Sequence, residues 1–403
     1  MKKLLIIACA MIAGAVVAED KPQPAREPNM RMQKRRMMRN MRSPLAVRDF
    51  GKLSDGRCTK IYTLRGAGGL RVDVSDYGGR IVRVYAPDRH GNLADVTLGW
   101  NTAGEYEKYG FSMGTLIGRF GNRIADGKFK IDGKEYQLPI NEKTETRNCN
   151  LHGGPEGWDS KIWKVRPRMT RGGQALELTY VSPDGDMGFP GTVTCKVVYA
   201  VSPANVLSIE YTATTDKPTI INLTHHGYWN MAGEASGNVL NQELQIFADE
   251  YSQVTAGLIP TKNIPVKGTP FDFTSPCVIG SRQQAMLADE ATKPMDSWYD
   301  HNFVLRGKVG EMKKAAIMKD PVSGRKMEIW TTEPCMQMYG AQNMTADKGL
   351  PAKQAGAKYL QYQGFALETQ HAPDSPNHPE FPSTVLRPGE TFSSRTEYRF
   401  TAE

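Results

Sequence analysis

Apolar and polar residues alternate with a period of two in a succession of short stretches between about Ser43 and the C-terminus. Successive side chains of a strand point to opposite faces, so this alternation predicts strands with one buried face. In "FKIDGKEYQL" (129–138), Asp132-Gly133 separates two such runs and predicts a β-hairpin. The other predicted strands cover residues 70–74, 175–181, 192–201, 206–215, 243–251, 326–332, 364–369 and 395–402.

Helical periodicity is nearly absent, and only residues 281–290 predict a short helix. The 39 glycines and 25 prolines supply the turns between strands. Neither an internal repeat nor a linker interrupts residues 45–403, although 344–359 has the composition of a flexible loop insertion. Many short strands without interleaved helices predict one all-β domain over 45–403, a large antiparallel β-sandwich with few short helices.

Residues 1–18 predict a secretory signal peptide. Two lysines precede an apolar run from Leu4 to Val17, and small residues lie just before Glu19. The run is shorter than the about 20 residues that a membrane-spanning helix needs, so we expect cleavage and no stable membrane insertion. Export would place the protein in a periplasm or outside the cell.

Residues 19–44 form a predicted basic, flexible linker. Eight basic and three acidic residues lie between 19 and 42, out of a formal net charge of +8 for the whole chain. Residues 26–42 are compatible with an amphipathic helix on an anionic membrane or with a solvated tether, and the tether is favoured because no helix cap is evident. The predicted domain is nearly neutral, which argues against a nucleic-acid-binding surface.

Removal of the signal peptide leaves five cysteines. The number is odd and no pair has CxxC spacing, which argues against a zinc site or a redox motif. One disulfide is compatible with an oxidising compartment, but the sequence does not determine its pair.

Two adjacent histidines, His225 and His226, lie in the strand-like stretch "LTHHGYWN" (223–230). Their side chains should point to opposite faces, so only one of them can enter a given site. Glu368 lies in the apolar stretch "GFALETQ" (364–370). An apolar setting raises a carboxyl pKa towards that of a useful general base. One histidine and Glu368 are therefore candidates for acid–base chemistry.

Further polar residues stand in glycine-rich or aromatic surroundings, where a purely structural segment would not need them. Each of them alone is also compatible with a hydrogen-bonded turn or a core position. They are His152 in "LHGGPEGWD", Arg119, Asn122 and Arg123 in "IGRFGNRI", and Asp300 in "WYDHNF".

Six motifs resemble those of the aldose 1-epimerases, the galactose mutarotases, and they occur in the same order along the chain. The resemblance extends from about Asp49 to the C-terminus. It implies a galactose mutarotase-like supersandwich with an open sugar-binding cleft, in agreement with the alternation described above. The motifs are "GRFGNRI", "LHGGPEGWD", "SPDGDMGFPG", "NLTHHGYWN", "WYDHNF" and "ALETQHAPDSPNHPEFPSTVLRPGE".

This resemblance implies roles for individual residues. His226 falls on the general acid of the family and Glu368 on its general base. The family's asparagine and serine beside that histidine are replaced here by His225 and Gly227, and we expect His225 to face away from the site. The residues implied to bind the sugar are Asn122, Arg123, His152, Asp300 and Gln337, with His152 near the ring oxygen.

The implied activity is interconversion of the α and β anomers of free aldohexoses such as glucose and galactose. Ring opening and reclosure by an acid and a base require neither a cofactor nor a metal ion. Proximity of His226 and Glu368 is expected to favour the charged form of both side chains. Tyr228, Trp229 and Trp298 are candidates for stacking on the sugar or for packing in the core. The sequence leaves the oligomeric state open, a monomer included.

Three other functions are compatible with these residues. A glycoside hydrolase would use two carboxylates, for which Asp300 and Glu368 are available. An epimerase of a phosphorylated hexose would need an additional cation in the cleft, and Arg119 is the evident spare one. A non-catalytic carbohydrate-binding protein would keep the aromatic and polar contacts but would have no use for His226 together with Glu368.

Overall fold

The computed structural model describes residues 45–170, 173–288 and 298–403. The predicted signal peptide (1–18) and basic linker (19–44) lie outside the described residues. The described chain forms two short α-helices, α1 (Ala103–Tyr109) and α2 (Gln283–Ala288), and a long series of strands. The strands are β1 (Ala46–Lys52), β2 (Cys58–Arg65), β3 (Arg71–Ser75), β4 (Ile81–Pro87), β5 (Leu93–Asp95), β6 (Leu116–Ile117), β7 (Arg123–Ala125), β8 (Lys128–Ile131), β9 (Lys134–Gln137), β10 (Glu142–Lys143), β11 (Asn148–Leu151), β12 (Lys164–Thr170), β13 (Gly173–Ser182), β14 (Val193–Val201), β15 (Val206–Thr215), β16 (Thr219–Ile220), β17 (Thr224–His225), β18 (Tyr228–Trp229), β19 (Glu243–Ile246), β20 (Ala248–Val254), β21 (Pro260–Pro265), β22 (Cys277–Val278), β23 (Asp300–Leu305), β24 (Lys313–Lys319), β25 (Arg325–Thr331), β26 (Cys335–Tyr339), β27 (Phe365–Gln370), β28 (Val385–Leu386) and β29 (Phe392–Ala402).

Two large antiparallel sheets share one hydrophobic core and form the sandwich. The larger sheet has the strand order β12-β13-β14-β15-β29-β25-β24-β19-β22, and the smaller has the order β18-β27-β26-β23-β20-β21. Their inner faces meet in one cluster, which includes Ile329 and Tyr398 from the larger sheet and Met338 and Leu367 from the smaller. The predicted all-β sandwich is confirmed, because apolar side chains from both large sheets pack against each other in this cluster.

Two smaller sheets complete the part of the fold that surrounds the site. The sheet β1-β2-β3-β4-β5 extends the same core through residues such as Leu64, Val72 and Val84. The sheet β10-β11-β7 is short, and its strands place charged side chains beside the smaller sheet of the sandwich.

The predicted hairpin is present as β8 and β9. Asp132 and Gly133 at its turn both have positive φ, 52° and 81°, as the tight turn of an Asp-Gly hairpin requires. The stretch 243–251, predicted as one strand, is instead two. β19 pairs with β24 in the larger sheet, whereas β20 pairs with β23 in the smaller one. The alternation continues through this crossing because both strands bury one face.

Helix α1 was not predicted from the hydrophobic pattern, although its start carries a local signal. The Thr102 hydroxyl accepts a hydrogen bond from the Glu105 N–H, and the Glu105 carboxylate accepts one from the Thr102 N–H. This is a capping box. The helix predicted at 281–290 is present in part, as a 3₁₀ turn (Ile279–Arg282) followed by α2.

Residues 344–359 form a loop with one 3₁₀ turn (Ala346–Lys348), as predicted, but buried contacts hold this loop on the domain. Tyr359 is buried, and its hydroxyl bonds to the Glu234 carboxylate and to the Gly99 carbonyl. The Lys353 ammonium is also buried, 2.6 Å from the Asp95 carboxylate. Burial of a lysine is costly unless it is paired, so these contacts hold the segment firmly on the domain.

The five cysteines from Cys58 to Cys335 are all free thiols, so the disulfide that the sequence left open is not present among them. Among the described residues, no helix combines the length and apolar character that crossing a bilayer requires.

Candidate active site

Strand β27 carries the candidate base into the centre of the smaller sheet. Every residue of β27 is buried, with β18 on one side and β26 on the other. Phe365 and Leu367 point into the sandwich core, so Glu368 points to the opposite face of the sheet. Gln337 lies directly across from it on β26. Glu368 is only 1% exposed, because the strand alternation directs its side chain to this covered face.

The paired histidines point in opposite directions, as the strand geometry predicts. The His225 ring packs near Trp229 and Tyr398, with ring centroids 6.5 and 6.3 Å away, on the core side. The His226 ring instead lies 5.2 Å from the His152 ring, on the side of the cavity. Burial lowers the pKa of His225 to about 3, so this histidine is a neutral packing residue at ordinary pH.

His226 and Glu368 come together on that side. The His226 Nε2 lies 3.6 Å from the Glu368 Oε1. The other carboxylate oxygen of Glu368 has no hydrogen-bond partner among the described residues, and His226 Nδ1 has none on another described residue. Two buried polar groups with unused capacity in one cavity are suited to receive a polar ligand.

The expectation that proximity favours the charged form of both side chains is wrong. Burial lowers the pKa of His226 to about 4. Burial, with a contribution from Asp300 and opposed by Arg123, raises the pKa of Glu368 well above its usual value. Desolvation therefore outweighs the attraction between the two groups. Glu368 and His226 share one titratable proton, whether it makes the carboxyl group neutral or the imidazole positive. The pKa shifts therefore place this proton on Glu368 and leave the number of protons on the pair unchanged.

His152 is fixed in one tautomer by the backbone. The backbone N–H of Asn122 donates to His152 Nδ1 at 3.1 Å, and the backbone N–H of His152 donates to the Asn122 carbonyl at 3.1 Å. Both residues have positive φ, 64° and 54°, a strained conformation that is common at functional sites. Since Nδ1 accepts, the neutral ring carries its proton on Nε2 and offers a donor. Burial, with the charges of His226 and Arg123, lowers the pKa of His152 well below its usual value.

His152, His226 and Glu368 would also be a plausible metal-ligand set by type, because one ligand atom of each lies within 4.8 Å of the others. A histidine must present an unprotonated nitrogen to a metal ion. The lone pair of His152 Nδ1 accepts the hydrogen bond from the Asn122 N–H, and Nε2 carries the proton, so neither nitrogen is available to a metal ion. The donor set therefore fits a hydrogen-bonding site better than a metal site.

Arg123 is the centre of a charged network beside the pair. Its guanidinium donates to both oxygens of Glu142, at 2.6 and 3.0 Å, and lies 3.5 Å from the Asp300 carboxylate. Although burial opposes it, the hydrogen bonds and charge of Arg123 lower the pKa of Glu142 to about 2. Asp300 also accepts a 2.6 Å hydrogen bond from the Gln337 amide. The fork of Arg123 is thus held rigidly, which suits bidentate contacts to hydroxyls.

These side chains surround a cavity of about 250 Å³. Six of the seven residues predicted for the site line it, and Gln337 lies behind Asp300 instead. Sequence reasoning missed several lining residues, because all of them except Leu151 lie outside the six motifs, and Leu151 has no polar side chain to mark it. They are Phe111, Ser112, Glu142, Arg147, Leu151, Tyr339, Asn343 and Lys348.

Three other candidates are placed elsewhere. Trp229 and Trp298 are fully buried in the sandwich core, so they do not stack on a ligand, whereas Tyr228 does line the cavity. The Arg119 guanidinium is buried and donates to Ser182 Oγ and to the carbonyl of Pro190. It does not line the cavity and is not a spare cation there.

Comparison with known proteins gives a consistent picture. Residues 60–399 match the sequence model of a family described as aldose 1-epimerase. The chain is 38% identical over 352 residues to human galactose mutarotase, covering 87% of this chain and 97% of that protein. It is 37% identical over 352 residues to the aldose 1-epimerase of Escherichia coli (strain K12), with the same coverage.

Solved structures show the same similarity. An aldose epimerase homologue from C. elegans superposes with a TM-score of 0.74 at 27% identity, covering 85% of this chain and 99% of that one. A galactose 1-epimerase from Lactobacillus acidophilus NCFM superposes with a TM-score of 0.74 at 25% identity, covering 89% and 99%.

Proposed function

The chain belongs to the aldose 1-epimerase family, and from this premise we propose that Glu368 and His226 interconvert the α and β anomers of free aldohexoses such as glucose and galactose. The observation that carries the proposal is the distance of 3.6 Å between His226 Nε2 and Glu368 Oε1. The cavity around them is lined by polar and charged side chains that can bind the hydroxyl groups of a sugar. An acid and a base at this spacing can reach the ring oxygen and the C1 hydroxyl, which are both bonded to C1, from one side of a hemiacetal.

In the first half of the reaction, the Glu368 carboxylate takes the proton from the C1 hydroxyl, and the C1–ring-oxygen bond breaks. His226, in its protonated form, gives its proton to the departing ring oxygen. The product is an open-chain aldehyde, with Glu368 protonated and His226 neutral. Each group acts over hydrogen-bond distance on an atom of the sugar, and each such group typically contributes roughly 10²–10⁴-fold.

In the second half, the aldehyde rotates about the C1–C2 bond and presents its other face. The C5 hydroxyl attacks C1 and loses its proton to His226, while Glu368 returns its proton to the carbonyl oxygen. The pair ends in its starting state, so one proton cycles and none is consumed. The proton count is the one that the buried pair already holds.

The burial of the pair sets the ground state for this cycle. With His226 at a pKa of about 4 and the pKa of Glu368 raised, burial favours the uncharged form of both groups. Hydroxyl groups of a bound sugar would supply hydrogen bonds to the orphaned oxygen of Glu368, which favours its ionised form. Substrate binding would thus help move the proton to His226.

The rest of the sugar must be held while C1 turns. Arg123 and Asp300, which are bonded to each other and to fixed neighbours, are suited to grip hydroxyls remote from C1. The Nε2–H of His152 is a donor for the ring oxygen, and Asn122 holds His152 in place. Gln337 would act on the sugar through Asp300 rather than directly.

Polarimetry of freshly dissolved α-galactose and α-glucose tests the proposal. We expect the approach to the anomeric equilibrium to be much faster with the protein than without it. Binding of the sugars without acceleration would favour a carbohydrate-binding protein, and release of free sugar from a glycoside would favour a hydrolase. Against the hydrolase, Asp300 already accepts hydrogen bonds from Arg123 and Gln337.

We also propose that the protein is exported and acts in a periplasm or outside the cell, on the basis of the N-terminal sequence pattern alone. Cell fractionation, with the mass of the mature N-terminus, tests this. A full-length chain in the cytosol would contradict it.

A further inference from the structure

The cavity has a buried end and an exposed end. His226 and Glu368 are buried at one end, whereas Lys348 is the exposed member of the lining. Phe111 and Asn343 beside Lys348 are half-buried. The difference in burial therefore places Lys348 at the exposed mouth of the cavity and the catalytic pair at its buried end.

The charges inside the cavity balance without Lys348. Arg123 and Arg147 both contact Glu142, and Arg123 also faces Asp300, so two cations meet two anions. Within the described residues, the Lys348 ammonium has no carboxylate within 4 Å. It donates instead to the Asn343 carbonyl and lies 5.1 Å from the centre of the Phe111 ring. These direct contacts are neutral, although the charge of the neighbouring Asp347 also acts on Lys348. A cation that is not paired with a carboxylate keeps its charge available to a ligand.

Buried contacts of Lys353 position the segment that carries Lys348. Five residues further on, the Lys353 ammonium is only 4% exposed and lies 2.6 Å from Asp95. It also donates to the carbonyls of Val82 and Thr97, at 2.8 and 2.7 Å. On the other side, the Phe111 carbonyl accepts a hydrogen bond from Tyr228 at 3.2 Å. Lys348 and the Phe111 ring thus belong to two segments that are each hydrogen-bonded to the rest of the domain.

We infer that Lys348 is a specificity-determining residue that favours aldoses carrying an anionic group, a carboxylate or a phosphate, at the end of the sugar remote from C1. The inference rests on the proposed epimerase function, and it names the substrate class of that same site. Such a group would lie at the exposed mouth while C1 lies at the catalytic pair. The ammonium, with three donors, would meet it there.

The test compares galacturonate and galactose 6-phosphate with galactose, as ratios of kcat/KM, in the full chain. Lys348→Met removes the charge but keeps an unbranched side chain over Phe111, and Lys348→Arg restores a charge. Lys308→Met is the matched control, because Lys308 is a lysine with an 85% exposed side chain that does not line the cavity.

We expect the preference for an anionic sugar to fall about three- to tenfold in Lys348→Met, to recover in Lys348→Arg and to stay unchanged in Lys308→Met. Raising the ionic strength should weaken the wild-type preference, because the mouth is exposed. A fall for galacturonate alone assigns a carboxylate, and a fall for galactose 6-phosphate alone assigns a phosphate.

An unchanged ratio in Lys348→Met, or an equal fall in Lys308→Met, overturns the inference. Turnover of galactose by the wild type would then leave the proposed function standing. If the wild type accelerates none of the three sugars, the proposed function fails and the inference fails with it.

Discussion

Glu368→Gln separates the chemical role of this carboxyl group from its place in the fold. Glutamine has nearly the same shape, so the buried position on β27 stays filled. An amide cannot take a proton from the C1 hydroxyl, and we expect kcat to fall by about 10²–10⁴-fold. This corresponds to about 3–5 kcal/mol of transition-state stabilisation, at 1.36 kcal/mol for each factor of ten.

The same substitution should stabilise the fold at alkaline pH. Burial raises the folded-state pKa of Glu368 well above its usual value. The native protein therefore keeps this proton where the unfolded chain has released it. Stability is highest below the unfolded pKa and is lost as the pH rises through the folded pKa. Each unit of the upward shift corresponds to about 1.4 kcal/mol, and glutamine does not incur this cost.

Polarimetry gives kcat for this variant, and thermal unfolding at a series of pH values gives its stability. Thr369→Ser is the matched control, because Thr369 lies on the same strand but faces the core, where its hydroxyl meets Thr396 at 2.6 Å. We expect Thr369→Ser to keep its activity. A folded Glu368→Gln protein with near-wild-type kcat would refute the assignment of the base. A stability gain that did not shrink towards acid pH would refute the desolvation argument.

Four further outcomes follow from the same geometry. His226→Ala should lower kcat by at least about 10²-fold with the fold intact, and near-normal polarimetric rates would remove His226 from the acid role. Arg123→Met should lower the free energy of unfolding, measured by denaturant titration, by about 3–5 kcal/mol, because Glu142 and Asp300 lose a buried partner. A decrease below about 1 kcal/mol would contradict the network. The profile of kcat/KM against pH should fall on the acid side near pH 4, where protonation of His226 gives the pair a second proton. It should also fall on the alkaline side, where the pair loses its only proton. A flat profile through pH 4 would contradict the lowered pKa that burial gives His226. Deletion of 19–42 should leave the polarimetric rate unchanged, and a large loss would mean that this segment contributes to the site.

Local signals in the sequence were sufficient for much of the fold. The period of two identifies β14 most clearly, because buried residues alternate with more exposed ones along its whole length, and the alternation holds over parts of β13, β15 and β29. The Asp-Gly turn between β8 and β9 was readable because its dihedral angles are a property of two residues. The Thr102 capping box could have revealed α1, since it too is local.

Of the residues that line the cavity, the sequence predicted only ones that lie in the six motifs. Glu142, Phe111 and Lys348 line the cavity from strands and segments that carry no distinctive pattern, and only the folded chain brings them together. Lys348 in particular belongs to a stretch whose composition resembles a mobile loop. Its order comes from the buried contacts of Lys353 and Tyr359 with distant strands.

What the sequence by itself determined is therefore the strand content, the turns and the opposite orientations of His225 and His226, because these depend on neighbouring residues. What only the tertiary structure decided is the crossing between sheets at 247, the composition of the cavity wall and the charge state of His226 and Glu368. Those depend on which distant groups exclude water from a site. Desolvation is a property of the assembled surroundings, and no local pattern records it.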